Sequence, residues 1–515
     1  MPKPKQFLKD DSRKKKSAKH APQVPETADE FLAAGVDHEE AGEKWRGGDA
    51  AKSTRFFVRA IDTYEAGLTK FPDSFDLAYN KARVQYEITQ HPKLRGQLPG
   101  NLLDLLHVAL ESSRRALSLK QDDPNVIFNT AQLLTSLAEA LDDVGSDAGS
   151  LVPLLEEAVE LFQRCLTLQE FRFSESEALR DSINADDAPG SPPDSDGGAP
   201  LTPAAQAASL QPSEEQWASI VEPTTPDTLL DTILALLETL TVLASKLDSR
   251  GLAALEEYTS TLLTKLPTYL APSPTRAPEL GLTRANLLSA LAEAGFRAGT
   301  IDTATYERAI TGAFRDLDLA ADPKGLTDKA DAMLAFAAAL RTQPVEDGQQ
   351  QIVTRWGALT QAGSALGAAS KLPGAMNLAR IHLARGDAEM LRFRVKDGTG
   401  YPGNVDAGVL VKNAGVFYRG AARQALVDGL EGVGREGRLK GALAAAVGGE
   451  SEALREMVGS ETGMVIEVLW GAVSDGLVEM EWLQREKIVR ITATVQRLAL
   501  QPDRQDSPVT QYLAM

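Results

Sequence analysis

Two glycine clusters are the first residues in this chain whose types and spacing could do chemistry: Gly398-x-Gly400-x-x-Gly403 and Gly432-x-Gly434-x-x-Gly437. Glycines spaced in this way cradle a pyrophosphate when they close a strand and open a helix, because backbone amides then point at the anion. Both clusters here follow helical, Arg- and Leu-bearing text, and Pro402 interrupts the first, so they are expected to be turns between helices. The five histidines, His20, His38, His91, His107 and His382, never pair at i, i+4, the spacing that would put two zinc ligands on one helix face. Neither a P-loop nor an HExxH sequence occurs. Cys165 is the sole cysteine, which excludes disulfides within the chain and cysteine zinc clusters, and it is expected to pack as a small hydrophobe. No catalytic, cofactor-binding or metal-ligating set emerges, so the chain reads as a non-enzyme that needs no cofactor.

Charge is divided by region. The chain carries −18 overall, yet the first twenty residues hold eight Lys and Arg against Asp10 and Asp11, a net of +6, which leaves −24 for the rest. An acidic body lacks the cations that displace counterions from phosphates, so direct nucleic-acid binding is not expected outside the basic tail. A basic protein is the more natural partner, although surplus carboxylates also serve solubility alone. The run Arg13, Lys14, Lys15, Lys16 is compatible with a nuclear-import address, an anchor for acidic partners or RNA, or a solvated tail; import is the favoured reading. No apolar block follows these bases, and the most apolar stretch, Leu229 to Ala244, is broken by Asp231 and Glu238, so neither a secretory signal nor a membrane span is read. The expected location is cytoplasmic, nuclear or both.

The elements that must position these residues are helices. Abundant Ala, Leu, Glu and Arg with 6% aromatic residues favours helix packing over strands. Residues 1–26 read as a disordered basic tail, and helical periodicity runs over 27–172. Residues 173–226 form a Pro/Ser/Asp-rich linker in which Pro189, Pro192, Pro193, Pro200 and Pro203 stop any long helix. That linker holds Ser191-Pro192, Thr202-Pro203 and Thr225-Pro226, acceptors for proline-directed phosphorylation. Helical text resumes over 227–450, with breaks near 271–278, 322–325, 344–348, 372–374 and 397–404. Residues 451–502 are expected to cap the array, with Leu477-Val-Glu-Met-Glu open to a strand reading and hence a small winged-helix-like end; 503–515 is a tail.

Internal repetition organises the first helical region. The pattern small-x3-aromatic-x2-small-Leu reads Ala60, Tyr64, Gly67, Leu68, and again Ala158, Phe162, Cys165, Leu166; midway lie Ala109, Ser113, Ala116, Leu117. A second pattern, Leu77, Tyr79, Asn80, Ala82, returns 49 residues later as Val126, Phe128, Asn129, Ala131. Small residues four and seven apart on a helix face let a neighbour approach while the aromatic fills the groove between them. Such helix pairs cannot bury their apolar stripe alone and must stack.

These residues resemble the tetratricopeptide (TPR) family, whose second helix reads A-x3-F-x2-A-L followed by proline. Ala60, Tyr64, Gly67, Leu68 and Pro72 look like that helix, and Tyr79, Asn80 and Ala82 like the next first helix. Residues 375–387, ending in Gly386-Asp387, are similar to a family first helix and its Gly-Asp turn, which places Asn377 where Asn80 and Asn129 fall. The 49-residue period is longer than the family's, so these are stretched, degenerate repeats covering about 28–171 and parts of 282–430; the other helices are repeat-like only in length and apolar spacing. The N-terminal third also looks like fungal TPR proteins of unassigned function. The resemblance implies an all-α fold, a right-handed α-α superhelix or solenoid, with two halves set apart by a disordered insertion. It also implies a groove lined by Tyr79, Asn80, Arg83, Tyr86, Phe128, Asn129 and Gln132, although the aromatic members serve equally as helix-packing residues. The family clamp for heat-shock chaperone tails is not matched, because His38, Gly42 and Asn129 stand where its Lys, Asn and Arg are needed. The expected function is a protein-binding scaffold, adaptor or client-specific chaperone for a basic client in complex assembly. The alternatives are a structural subunit of a larger assembly and, behind it, a heat-shock co-chaperone or an enzyme.

Overall fold

The computed structural model describes residues 25–186, 224–342, 348–399, 401, 403–460, 462–479 and 482–483. Among them every regular element is a helix. The basic tail with its Arg13–Lys16 run, Ser191, Thr202 and the C-terminal tail lie outside the described residues.

Helical hairpins follow one another along the chain. They are α1 (Ala28–Trp45) with α2 (Ala50–Lys70); α3 (Phe75–Thr89), the single turn α4 (Pro92–Arg95) and α5 (Leu102–Leu119); and α6 (Pro124–Asp143) with α7 (Ala148–Asp186). Then come α8 (Pro226–Ala244) with α9 (Ser249–Leu270), α10 (Ala277–Arg297) with α11 (Thr303–Arg315), and α12 (Pro323–Thr342) with α13 (Gly348–Ala369). The last are α14 (Leu378–Thr399) with α15 (Ala407–Asp428), and α16 (Glu431–Val447) followed by α17 (Glu452–Ser460) and α18 (Thr462–Ser474). First helices begin at 28, 75, 124, 226, 277, 323, 378 and 431, steps of 46 to 55 residues apart from the one that spans 187–223. The hairpins thus continue after the insertion at a looser step, 46 to 55 residues against 47 and 49 before it, in keeping with later helices that are repeat-like in length and apolar spacing.

Local sequence explains where these helices start. Thr27 and Asn101 close capping boxes with Glu30 and Asp104, and Asp49, Asp123, Asp248, Asp302 and Asp406 each accept an amide of the first turn. Each such cap is worth about 1 kcal/mol. Pro226 and Pro323 occupy first-turn positions, where the missing amide has no partner to lose, so the break near 322–325 falls just before Pro323.

Each hairpin packs on the next, and the first helices touch one another from α1 through α12. They therefore form the inner row of a solenoid, each after α1 also packed against the second helix of the hairpin before it. The small-x3-aromatic pattern does what its spacing predicts: Ala60, Tyr64, Gly67, Leu68, Ala158, Phe162 and Cys165 are all buried, and the Cys165 thiol points to the Pro124 carbonyl at 3.3 Å. One apolar core runs from Phe31 to Ala294, and α10 contributes to both that core and the next.

Five local expectations are corrected. Gly386-Asp387 is no turn but the middle of α14, where a Cβ on Gly386 would come within 2.4 Å of the Tyr418 ring. Asn377 does not share the helical position of Asn80 and Asn129; it adopts a left-handed conformation (φ 58°) just before α14. Gly432, Gly434 and Gly437 lie within α16 rather than in a turn. Helix α7 runs to Asp186, past the break read at 173, and residues 477–479 are not a strand.

Candidate partner-binding surface

The seven residues read as a groove are brought together between α3 and α6, and each is less than a tenth exposed. Asn129 Nδ2 donates to Tyr79 Oη at 3.0 Å, and Tyr86 Oη meets Ser136 Oγ at 2.9 Å. Arg83 donates to Asn80 Oδ1 and to Glu87 Oε2, both at 3.2 Å, and Phe128 packs edge-on against Phe162 with ring centroids 5.6 Å apart. Asn129 Oδ1 is buried without a partner beside a water-sized cavity lined by Tyr79, Arg83, Tyr86 and Ser113. The seven form a buried polar seam, Gln132 included, rather than the lining of an open groove. The seam continues as Thr135 Oγ1 to Thr239 Oγ1 at 2.9 Å and Thr232 Oγ1 to Gln169 Oε1 at 2.8 Å, so α8 is hydrogen-bonded to α6 and α7.

Two hairpins carry the same lock. Tyr64 on α2 donates to Glu39 of α1 at 2.5 Å, and Glu39 pairs with Arg83 of α3. Tyr418 on α15 donates to Asp387 of α14 at 2.7 Å, and Asp387 pairs with Lys440 of α16 at 2.9 Å. In both, a glycine on the first helix, Gly35 or Gly386, makes room for the ring. Burial pushes both phenols up, and the adjoining carboxylates push them further. Burial alone would lower Lys440, but Asp387 and Glu436 outweigh it and hold the amine above its ordinary range. These locks tie each hairpin to the next.

The residues that sequence reasoning missed are carboxylates of the inner row. Burial raises Glu139 on α6 to about 7, with Glu238 and Asp143 pushing the same way. Burial likewise raises Glu238 on α8; Lys324 opposes this, while Glu279 on α10 and Asp328 on α12 add to it. Asp331 on α12 rises to about 6 through burial and Asp328, against Lys324. Asp328 itself accepts from Lys324 at 2.7 Å and from Asn286 at 2.8 Å. A signal for the row was present: Glu139 and Glu238 are isolated acids in the apolar runs Leu137-Ala-Glu-Ala-Leu and Leu236-Leu-Glu-Thr-Leu. Among the described residues no three His, Cys, Asp or Glu side chains gather as a metal-binding group, and no helix is long and apolar enough to cross a membrane.

Fold and surface together define an all-α helical-repeat protein. No family model matches the chain. It is 30% identical over 155 residues to UPF0656 protein C926.02 of Schizosaccharomyces pombe, covering 30% of this chain and 34% of that protein. It is 26% identical over 191 residues to uncharacterized protein YNL193W of Saccharomyces cerevisiae, covering 31% of this chain and 34% of that protein. The chain thus matches about a third of the length of these curated relatives. Among solved structures, a circular tandem repeat protein with novel repeat topology aligns over 87% of this chain and 99% of its own at 14% identity and a TM-score of 0.26.

Proposed function

We propose that this chain is a non-enzymatic scaffold of stretched TPR-like repeats that holds a basic protein client along its inner row. The observation that carries the reading is the set Glu139 on α6, Glu238 on α8 and Asp328 on α12, each half-buried on a first helix, with Glu139 held well above the ordinary carboxylate range. Partly desolvated carboxylates that repel one another incur a cost that Lys or Arg side chains of a bound segment would offset. The −24 carried outside the first twenty residues extends the same attraction over the whole body. The basic Arg13–Lys16 run fits a protein that meets its client between cytoplasm and nucleus. Affinity purification at low and moderate salt tests this: basic partners should be recovered at low salt and lost as salt screens the row. A Glu139→Gln, Glu238→Gln double variant should recover roughly ten-fold less, since each removes a charge-assisted contact. Partners that are neutral, or indifferent to salt and to these substitutions, would sink the proposal.

A second reading, a structural subunit of a larger stable assembly, is favoured by α15, which exposes Val409, Val416, Leu426 and Val427. Native extract then should show the chain eluting far above its 55.2 kDa mass, and monomeric elution removes this reading.

A further inference from the structure

The second helix of each hairpin turns its outer face to water, and on α15 that face differs in kind from the others. Among the described residues, exposed large hydrophobic side chains number one each on α5, α7 and α13 and none on α2, α9 and α11, whereas α15 carries Val409, Val416, Leu426 and Val427. Lys412, Arg419 and Arg423 stand exposed among them. Positions 409, 412, 416, 419, 423 and 426 step by three and four, so they form one stripe along the helix, about 25 Å long at 1.5 Å per residue. Asp428, at the last position, is the only acid in α15. The opposite face is buried through Val411, Ala414, Tyr418 and Ala421 against α14 and α16. Ala425 packs with Ala379 at the start of α14, which brings the exposed Met376 to the end of the hairpin where Leu426 and Val427 lie.

The acids outside the described residues do not supply the complement of this stripe. Gly400 and Pro402, which adjoin α15 in the chain, are uncharged. Glu346, Asp347, Glu461 and Glu481 stand in short gaps beside α12, α13, α17 and α18, whereas the helices packed on α15 are α14 and α16. Residues 484–515 hold five bases against three acids. The segment 187–223 holds six acids and no base, with Trp217, Ile220 and Val221 at helical spacing beside Glu214, Glu215 and Glu222. Trp217 is tied to Thr224, however, and seven extended residues span at most about 25 Å. From α8 to α14 are three packing steps, about 24–30 Å, and α15 lies a helix further. That apolar run cannot lie along α15 of its own chain.

We propose that the outer face of α15 docks a separate protein, which lays an acidic amphipathic helix along the stripe. A row stepping by three and four accepts a helix that carries the same row, and carboxylates beside the partner's apolar side chains answer Lys412, Arg419 and Arg423. A second copy of α15 fits poorly, because antiparallel packing about its centre sets Lys412 against Arg423. An anionic membrane attracts the stripe but repels a body that carries −24 outside the first twenty residues. The proposal rests on the structural-subunit reading in taking α15 as a contact surface, and its partner is opposite in sign to the basic client of the inner row.

The test is fluorescence anisotropy with the full-length protein and a labelled helical peptide of about 18 residues, Leu at its a and d positions and Glu at e and g. Wild type should bind this peptide. The double variant Arg419→Glu, Arg423→Glu should bind it about ten-fold or more weakly while melting as wild type does, because both side chains are exposed. A twin peptide with Lys in place of Glu reports on the inner row instead: its binding should fall with Glu139→Gln, Glu238→Gln and not with the α15 variant, so the two readings fail separately. Elution of the chain as a monomer removes a stable assembly and leaves reversible binding of the Glu peptide in place. A Glu peptide that does not bind, or that binds both proteins equally, overturns the proposal. A wild-type dimer that Val416→Asp, Leu426→Asp turns into a monomer assigns the face to a second copy and overturns it. Sedimentation with phosphatidylserine vesicles that the α15 variant abolishes assigns the face to lipid and overturns it as well.

Discussion

Tyr418, Asp387 and Lys440 illustrate how a buried polar group is tolerated at the residue scale: each partner answers the next, so no charge is left alone in the core. Glu139 is answered less completely, and that makes it a measurable pH sensor. Its folded pKa of about 7 lies above the ordinary 4.5, so between those values the folded state keeps a proton that the unfolded chain has released. The stability this provides is fully present below about pH 4.5 and is lost as pH rises through 7. With discount for partial exposure the loss is about 1–2 kcal/mol. Urea denaturation at pH 5 and pH 8 should therefore show wild type weakening by that amount more than Glu139→Gln, which keeps the neutral form at both. Glu238 and Asp331 are raised as well and add with the same sign, so the variant flattens the profile without abolishing it.

At the scale of the element, the Gly432-x-Gly434-x-x-Gly437 cluster separates phosphate-loop chemistry from helix packing. A Cβ at Gly437 would come 3.0 Å from the Tyr418 carbonyl oxygen and 3.1 Å from the Ala422 nitrogen, both backbone, whereas nothing lies within 4 Å at Gly432. Gly432→Ala should raise stability by about 0.5–1 kcal/mol through helix propensity. Gly437→Ala should lower it by roughly 1–3 kcal/mol, because α15 and α16 must move apart. Thermal melts of the two variants check the opposite signs. Spacing alone did not reveal that the cluster is helical, since glycine reads as a breaker unless a neighbouring helix is known to need its surface. The same blindness misplaced Gly386-Asp387. Pattern reading succeeded where three hairpins kept a 49-residue step, and it passed over Ala414-x3-Tyr418-x2-Ala421, the same device, because Ala422 replaces Leu and the insertion had shifted the register. The residue types of the Tyr79–Gln132 seam were legible; its closure was not, because how tightly α3 packs on α6 depends on the curvature of the whole array.

For the whole molecule, the question is whether the long insertion between α7 and α8 divides two independent halves. The packing across it says that it does not: Thr239 of α8 meets Thr135 of α6, Thr232 meets Gln169 of α7, and Tyr269 of α9 donates to Glu170. The apolar core that starts at Phe31 includes Leu230, Ile233 and Leu237 on the far side of the insertion. In a stacked array each hairpin draws its stability from its neighbours, so damage at a junction spreads both ways. Ile233 is fully buried, and Ile233→Ala should cost about 2–5 kcal/mol. Native-state hydrogen exchange should then show faster exchange in α6 and α7 as well as in α8 and α9, because all four share the damaged core. If only α8 and later helices lose protection, the insertion is a domain boundary and the continuous solenoid is wrong.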